Sequence, residues 1–360
     1  MRAARHRVSN SIIMSLVSTL IDTAERLPLP DAVIRVAIRS LCARTAAKMA
    51  QGNEQADAAF ARELAARPIA EHTDAANTQH YEVPAEFFAQ VLGPNRKYSS
   101  CYYRTDETTL AQAEDDALQI TMQHADLRDG QSVLELGCGW GSLSLAMARQ
   151  YPYAQILSVS NSASQREYIE AQAAARNLTN LRVVTADMNV FEPHAQFDRV
   201  VSVEMFEHMM NWRKLLTLVR GWLKPGGLFF MHIFSHRSGA YLFDRADRED
   251  WIAQHFFTGG VMPSHKLIRQ YADLFTIDEQ WRWSGRHYQR TAEDWLTNFD
   301  EHCDAIEEIL RPVYGDDTAL WMRRWRWFFL ATSGLFGYAD GDEWGVSHYR
   351  LKPVAAPARH

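Results

Sequence analysis

Residues 132–151 read "SVLELGCGWGSLSLAMARQY", and this stretch decides the fold. It begins with the apolar residues of a buried strand, and a helical run follows the glycines at positions 137, 139 and 141 at once. A strand that turns through glycines directly into a helix is typical of nucleotide-binding α/β folds, because glycine lets a ligand approach the backbone closely. The stretch therefore predicts the first strand, loop and helix of such a domain.

The same alternation of short apolar runs and helical stretches continues along the chain. It predicts an α/β fold with a mainly parallel, doubly wound sheet covered by helices on both faces. Two later strand-like runs, "FTIDEQWRWS" and "GVSHYRLK", flank a helical region rich in Trp, and we expect them to close the sheet as antiparallel strands. The predicted parallel strands are residues 132–137, 155–160, 181–187, 197–205 and 226–235.

The texture of the sequence divides the chain into four parts. The N-terminal part is rich in Ala, Arg, Leu and Glu and has few strand formers, and Pro30 with Asp31 suits the start of its second helix. The predicted parts are a helical N-terminal extension (1–80), a Rossmann-like core (81–235), a mostly helical cap or insertion (236–345) and a final strand with a tail (346–360).

Composition excludes several classes of function. Of the 360 residues, 47% are hydrophobic and 23% are charged, which is the balance of a soluble globular protein. The net charge of −6 leaves no broad basic field for nucleic acid or for stable association with an anionic membrane. Four separated cysteines and the lack of a metal-ligand spacing argue against a disulfide framework and a metal. The apolar run at 11–21 is too short to span a bilayer, so we expect a cytoplasmic protein.

The glycine spacing narrows the choice of ligand. The loop reads GxGxG, not the GxGxxG of dinucleotide enzymes, and Glu135 stands two residues before its first glycine. This is the signature of S-adenosylmethionine binding in Rossmann-like methyltransferases, and a tight turn without a ligand is the alternative. Beyond the next strands, Asn161 and Gln165 suit the ribose or carboxylate of the ligand, although an acid is more usual there. Asp187 and the Met188 backbone suit the adenine, unless Asp187 is a helix cap.

The fourth predicted strand ends in three chemically active residues within "VSVEMFEHMMN", residues 201–211. If the strand turns into a helix at Glu204, then Glu204, Glu207 and His208 lie on one face. Carboxylates there would attract a protonated amine, and an imidazole with an ordinary pKa of about 6.5 suits proton removal. Two alternatives stay open, because Glu207 also suits a helix start and His208 also suits a structural hydrogen bond.

Eight stretches of the chain carry a resemblance to a known family. In chain order they are "YEVPAEFF", "KYSSCYY", "DGQSVLELGCGWGSLSL", "NSASQREYIE", "VEMFEHMMNW", "EDWIAQHFFTGGVMPS", "SGRHYQRTAEDWL" and "LFGYADGDEWGVSHY". They resemble the cyclopropane fatty acid synthase superfamily of S-adenosylmethionine-dependent methyltransferases, and within it the chain is most similar to the coclaurine N-methyltransferases, which methylate benzylisoquinoline alkaloids. The resemblance covers about residues 80–352 and implies a class I methyltransferase fold.

The superfamily contains two chemistries, and the resemblance helps to separate them. Lipid cyclopropane synthases resemble this chain at Cys101, Glu207, His232 and Tyr288, which in those enzymes surround a bicarbonate that serves as base. They carry a small residue such as glycine at the position of Glu204, whereas the amine N-methyltransferases carry glutamate, as this chain does. They also carry a cysteine in the C-terminal helix, where this chain reads "FLATSGLFGY". Both departures favour an amine as the acceptor.

The resemblance thus implies transfer of a methyl group from S-adenosylmethionine to a small secondary or tertiary amine, with S-adenosylhomocysteine as the product. Two alternatives to this reaction stay open: an enzyme that acts on unsaturated lipid, and a cofactor-binding scaffold without turnover. Whether the protein forms a homodimer through its N-terminal helices is a separate question that the sequence leaves open. The candidate catalytic residues are Glu204, Glu207 and His208. The candidate cofactor-binding residues are Tyr98, Ser99, Glu135, Gly137, Gly139, Gly141, Asn161, Gln165, Asp187, Met188 and Val203.

The candidate substrate pocket draws on the cap. "FFTGGVMPS" predicts a loop over the site, and "LWMRRWRWFFL" suits either the core of a helical lid or an aromatic box for a cation. For His232 and Tyr288, a place in the hydrogen-bonded core is the alternative. The candidate pocket residues are Tyr81, Cys101, His232, Phe256, Phe257, Tyr288, Trp327 and Phe328.

Overall fold

The structure is a computed structural model that describes residues 24–71, 83–244 and 250–355. The strands in these ranges are β1 (Ser132–Leu136), β2 (Gln155–Ser160), β3 (Leu181–Thr185), β4 (Phe197–Val203), β5 (Leu223–His236), β6 (Tyr241–Leu242), β7 (Val261–Met262), β8 (Phe275–Ser284) and β9 (Trp344–Pro353). The α-helices are α1 (Asp31–Met49), α2 (Glu54–Ala65), α3 (Ala85–Val91), α4 (Leu110–His124), α5 (Ser142–Gln150), α6 (Ala163–Ala175), α7 (Trp212–Trp222), α8 (Trp251–His255), α9 (Gly285–Glu301), α10 (Cys303–Tyr314) and α11 (Thr318–Phe336).

Seven strands form one sheet in the order β3-β2-β1-β4-β5-β9-β8. Strands β1 to β5 are parallel, and β9 and β8 extend the sheet as antiparallel strands. The predicted mainly parallel sheet and its two antiparallel closing strands are therefore confirmed. The strand order reverses between β1 and β4, and α/β proteins bind ligands beyond the carboxyl ends of the strands at such a reversal.

Helices cover both faces of the sheet. Successive residues of a strand point to opposite faces, so neighbouring residues pack against different helices. Val133 and Val201 pack with apolar residues of α4 and α5 on one face. Leu134 follows Val133 in β1, and Val200 precedes Val201 in β4. Both pack with apolar residues of α7 on the other face. The near-continuous apolar character of the central strands, which the sequence displays, follows from this double burial.

The glycine loop between β1 and α5 is held close to the neighbouring strand. The backbone φ angles of Gly137, Gly139 and Gly141 are +76°, +52° and +80°, in the left-handed region that favours glycine. The amide of Gly137 donates to the Val159 carbonyl at 3.0 Å. At Gly141 a Cβ atom would lie 2.5 Å from the Ile169 side chain, so this glycine lets α6 pack against the loop.

Helix α11 joins the cap to the N-terminal part of the chain. Its Arg326 donates to the carboxylates of Asp31 on α1 and Asp300 on α9. Its Trp325 is fully buried, with ring centroids 4.6 Å from Phe87 on α3 and 4.9 Å from Phe256. The cap is therefore joined to α1 by an ion pair and to α3 through an aromatic cluster.

We expect Trp325→Ala to lower the free energy of unfolding by about 3 to 5 kcal/mol, because it removes a fully buried indole and leaves a cavity. Urea unfolding followed by fluorescence and circular dichroism measures the change. Trp327→Ala, a half-buried tryptophan on the same helix, is the matched control and should cost less. Equal costs for the two variants would contradict the central position of Trp325 in the cluster.

Some element boundaries differ from the prediction. Helix α1 begins at Asp31 after Pro30, as expected, but β3 and β4 end two residues early. Strand β5 begins at Leu223, three residues before its predicted start at 226; this start is irregular, because Gly226 has a φ of +79° and the pairing with β4 shifts register there. Among the helices of the described ranges, none is long and apolar enough to cross a bilayer. The apolar run at 11–21 lies outside these ranges.

Candidate active site

A cavity of about 500 Å³ lies at the carboxyl ends of β1 to β4. One side is formed by the residues that end or follow these strands, and the other by β5, α8, α9 and α11. A volume of several hundred cubic ångströms is that of a small-molecule site. The cavity therefore has a strand-end side suited to a nucleotide and a cap side suited to a second molecule.

The strand-end side contains most of the predicted cofactor residues. Gly141 is the exception, because its role is to pack against α6. Gly139 lines the cavity, and a Cβ atom placed on it would meet no atom within 4 Å, so space for a ligand lies directly beside the loop. The predicted residues that line the cavity are Tyr98, Ser99, Glu135, Gly137, Gly139, Asn161, Gln165, Asp187, Met188 and Val203.

Hydrogen bonds fix the polar groups on this side. The buried Glu135 carboxylate accepts from the hydroxyls of Ser144 and Ser158, and burial raises the pKa of Glu135. Gln165 accepts from Ser160 Oγ at 2.7 Å. Asp187 lies two residues beyond β3 and accepts from the Asn189 amide at 2.8 Å, so it also holds the local turn. Together with the glycine loop, these acceptors and amides fit the adenosine and methionine groups of S-adenosylmethionine.

Glu204 stands where the two sides of the cavity meet, and its backbone corrects one prediction. Its φ is +46°, and the chain continues into a single 3₁₀ turn, Phe206–His208, so no helix begins at Glu204. The predicted single helical face for Glu204, Glu207 and His208 is therefore wrong. A left-handed glutamate is uncommon, and such backbone strain is found where a side chain must be aimed at a site.

Two donors and one histidine surround the Glu204 carboxylate. The Ser100 amide donates to Oε1 at 2.9 Å, the Tyr288 hydroxyl donates to Oε2 at 2.8 Å, and His232 Nε2 lies 3.1 Å from Oε1. The side chain is only 8% exposed, and this exposed part lines the cavity. Burial raises the pKa of Glu204, while the Lys97 ammonium, the Ser100 amide and the Tyr288 hydroxyl oppose that increase. The arrangement holds a largely buried carboxylate in a fixed orientation.

Glu207 does not reach the cavity. Its side chain is fully buried and accepts from the Phe234 amide at 2.6 Å. Burial, and then the nearby charge of Glu204, raise the pKa of Glu207 well above its ordinary value. A side chain that does not line the cavity makes no contact with a cation bound there, so the geometry does not support the expectation that Glu207 shares this role with Glu204.

His208 lines the cavity beside Glu204. Its ring centroid lies 4.4 Å from that of Phe257, and its amide donates to the Met205 carbonyl at 3.0 Å within the 3₁₀ turn. The imidazole is therefore held between the turn and the cap loop, at the edge of the same cavity as the Glu204 carboxylate.

The predicted substrate pocket is only partly assembled at the cavity. Phe257, Tyr288 and Phe328 line it. Cys101 and His232 are fully buried behind it, where the Cys101 amide donates to Thr291 Oγ1 at 3.0 Å. Phe256 and Trp327 contact other aromatic rings of the cap instead, and Tyr81 lies outside the described residues.

Sequence reasoning missed several lining residues that a helical pattern could have identified. Thr332, Leu335 and Phe336 follow Phe328 at spacings of four, seven and eight residues, which puts them on one face of α11. Phe234 lies two residues after His232 on β5 and therefore points to the same side of the sheet. With Phe257 and Tyr288, these residues make the cap side of the cavity largely aromatic and apolar.

Comparison with known proteins gives a consistent result. The family profile of mycolic acid cyclopropane synthetase matches residues 70–337. The chain is similar to (S)-coclaurine N-methyltransferase of Thalictrum flavum subsp. glaucum, with 36% identity over 289 residues that cover 79% of this chain and 80% of the relative. It is also similar to cyclopropane-fatty-acyl-phospholipid synthase of Escherichia coli (strain K12), with 30% identity over 274 residues that cover 74% of this chain and 66% of that relative.

The fold has a close counterpart among solved structures. The crystal structure of a coclaurine N-methyltransferase bound to N-methylheliamine and S-adenosylhomocysteine superimposes with a TM-score of 0.86 at 32% identity. The match covers 94% of this chain and 99% of that structure. The two structures therefore share one fold over nearly the full length matched.

Proposed function

The chain belongs to the mycolic acid cyclopropane synthetase family of S-adenosylmethionine-dependent methyltransferases, and we propose that its acceptor is the nitrogen of a small, aromatic-bearing amine. The observation that carries the proposal is the Glu204 carboxylate, which lines the cavity and is oriented by Ser100, Tyr288 and His232. The amine N-methyltransferases that the chain resembles support a secondary or tertiary amine of the tetrahydroisoquinoline type.

The chemistry of the acceptor explains why a buried carboxylate is useful. An alkylamine arrives mostly as an ammonium ion, which has no lone pair with which to attack a methyl group. The attraction between a fixed anion and the ammonium is stronger in a site of low polarity than it is between the same two ions in water. When bound, S-adenosylmethionine supplies an electrophilic methyl group on its sulfonium. We assign Glu204 to binding the ammonium and His208 to removing its proton.

The aromatic cap side supports an aromatic amine over a simple one. Phe257, Tyr288, Phe328 and Phe336 line this side. Such rings pack against a flat aromatic substrate and stabilise a nearby cation. Apart from Glu204 and His208, Thr332 is the notable polar side chain there, and its hydroxyl donates to the Phe328 carbonyl at 2.8 Å. The pocket therefore favours a compact substrate with one charged nitrogen.

The lipid alternative meets a physical obstacle at the same place. In the lipid enzymes, His232 and Tyr288 would correspond to groups around a bicarbonate. Here both side chains already contact the Glu204 carboxylate, and Glu204 therefore takes the role of a built-in anion. A second anion beside it would be strongly disfavoured by charge repulsion. This argument favours the amine over the unsaturated acyl chain.

The test uses the purified protein with methyl-labelled S-adenosylmethionine. One set of reactions contains tetrahydroisoquinolines and phenethylamines, and a parallel set contains vesicles of unsaturated phospholipid. We expect label in the amines and little in the lipid. Label only in the lipid would refute the amine proposal, and label in neither would favour a scaffold that binds the cofactor without turnover.

The assignment of His208 predicts a pH-dependent defect. His208→Ala should lower turnover most at pH values where the amine is still protonated but a histidine side chain is neutral, because only there does the wild type have a base that the variant lacks. Turnover measured between about pH 6 and 9 checks this. Met209→Ala, which alters the adjacent lining residue, is the matched control and should change turnover uniformly with pH. A uniform loss in His208→Ala as well would argue against a base.

A further inference from the structure

Three histidines form a hydrogen-bonded chain behind Glu204. His232 Nε2 lies 3.1 Å from Glu204 Oε1, and His232 Nδ1 lies 2.9 Å from His348 Nε2. His348 Nδ1 in turn lies 2.8 Å from His124 Nδ1. His232 and His348 are fully buried, whereas His124 is half-buried at the end of α4. The chain therefore connects the carboxylate at the cavity to a partly exposed imidazole.

The register of the sheet builds this chain. His232 on β5 and His348 on β9 are direct cross-strand partners, and His348 is also opposite Trp281 on β8. The His124 ring stacks on Trp281 with a centroid distance of 3.7 Å and an interplanar angle of 6°. Each imidazole is thus fixed by strand pairing or by stacking, and the three rings keep their order.

With Glu204 taken as ionised, counting protons fixes the direction of each hydrogen bond among the three histidines and the carboxylate. A neutral imidazole carries one N–H and one acceptor nitrogen, and an ionised carboxylate only accepts. If Glu204 is ionised, His232 must carry its proton on Nε2 and accept at Nδ1. His348 must then carry its proton on Nε2 and accept at Nδ1, which requires His124 to donate from Nδ1. One pattern of tautomers satisfies all three contacts with Glu204 as an anion.

The electrostatic surroundings keep the three rings neutral, as the count requires. Burial lowers the pKa of His232 and of His348 well below the ordinary value, and the Lys97 ammonium acts in the same direction. Burial and the Arg350 guanidinium lower the pKa of His124 to about 4. His232 therefore acts on Glu204 as a neutral donor.

We propose that His348 and His124 are positioning residues for Glu204: they hold His232 in the tautomer that donates from Nε2 and so keep the carboxylate ionised to receive an ammonium. The inference rests on the proposed function, because it explains how the ammonium-binding group is maintained. If the donor to His232 Nδ1 is lost, His232 is able to move its proton to Nδ1. Its Nε2 lone pair then faces Glu204, and this arrangement favours the protonated acid.

The pH dependence of Glu204 also reflects its other neighbours, which the test leaves unchanged. The groups that act on it are Lys97, Cys101, Glu207, Tyr288 and His232. Beside His124, at the outer end of the three histidines, Arg350 pairs with Asp278 and Glu279 on β8.

The experiment compares His348→Leu with His348→Gln. Leucine removes both hydrogen bonds, whereas glutamine keeps one donor and one acceptor. For amine methylation, we expect the acid limb of the kcat/KM profile to move up by about one pH unit in His348→Leu, since a hydrogen bond to a charged group is lost. The profile should return toward the wild-type position in His348→Gln, and the KM for S-adenosylmethionine should change little in both. Identical profiles for leucine, glutamine and wild type would overturn the proposal.

A second measurement does not depend on activity or on the folding of these variants. Long-range ¹H–¹⁵N spectra of ¹⁵N-histidine-labelled wild-type protein report the tautomer of each ring, and His232→Gln identifies the His232 signals. We expect His232 with its proton on Nε2, and a wild-type His232 protonated on Nδ1 would overturn the proposal. If the wild-type enzyme methylates no amine, the proposed function fails, and the tautomer still decides whether the chain is ordered as inferred.

Discussion

A Glu204→Gln enzyme is expected to methylate amines about 10²- to 10³-fold more slowly than the wild type, the range seen when one preorganised electrostatic partner of the reacting group is removed. The amide has almost the same shape, so its oxygen still accepts from the Ser100 amide, and the Tyr288 hydroxyl turns to accept from its NH₂ group. What disappears is the negative charge at the cavity, and with it the attraction for an ammonium ion. S-adenosylmethionine affinity should change little, because the glycine loop and the ends of β2 and β3 are untouched.

Single-turnover methyl transfer and equilibrium binding of S-adenosylhomocysteine separate these two effects. Glu207→Gln is the matched control. Glu207 is buried away from the cavity, and its pKa is raised well above the ordinary value by burial, so an amide resembles its neutral acid closely. We expect this variant to keep most of its activity. An equal loss of cofactor binding and of transfer in Glu204→Gln would contradict the assigned role of Glu204.

The second large effect is expected at the glycine loop. Gly139→Val should weaken S-adenosylmethionine binding by roughly 100-fold, which corresponds to about 2.7 kcal/mol of binding free energy. Gly139 lines the cavity and has open space where its Cβ would lie, so the new side chain would occupy the volume that the ligand needs. Calorimetric titration with S-adenosylmethionine measures the affinity.

Backbone strain must be separated from this steric effect, since Gly139 has a φ of +52°. Gly130→Val provides the control. Gly130 has a φ of +80°, a Cβ placed on it would also meet no atom within 4 Å, and it does not line the cavity. We expect both variants to lose thermal stability but only Gly139→Val to lose affinity. Normal affinity in Gly139→Val would mean that the ligand does not approach this loop.

The fold could be predicted because its signals are local in the sequence. The apolar run at 132–136, the glycines after it and the helix from Ser142 all lie within 20 residues, and each has a direct physical preference for its conformation. The two antiparallel closing strands were also identified from their residue pattern. Local patterns set the elements, and the alternation of strands and helices restricted the topology to a doubly wound sheet.

The site was harder to predict, because its geometry depends on residues far apart in the chain. Glu204 was identified as a candidate, but its left-handed backbone has no signal in "VEMFEH". Its donor Ser100 and its neighbour Lys97 come from a loop about a hundred residues earlier. Glu207 has the same residue type and nearly the same position, yet its side chain is fully buried and does not line the cavity. The spacing of residues in the sequence does not show which of the two glutamates is fully buried and which lines a cavity.

The histidine chain illustrates the same limit. His124, His232 and His348 are separated by more than 100 residues from one another. Only the pairing of β5 with β9, and the stacking on β8, brings the rings into hydrogen-bond distance. Without knowledge of the strand pairing, the sequence shows only three histidines far apart in the chain.

The central claim is that Glu204 is needed because the amine arrives as an ammonium ion. The most direct test measures methyl transfer by wild type and by Glu204→Gln for a series of tetrahydroisoquinolines whose ring substituents lower the amine pKa stepwise. We predict that the Glu204→Gln defect shrinks as the amine pKa falls below the assay pH, because a neutral amine needs no anion to receive it. A defect of the same size for every amine in the series would contradict the account.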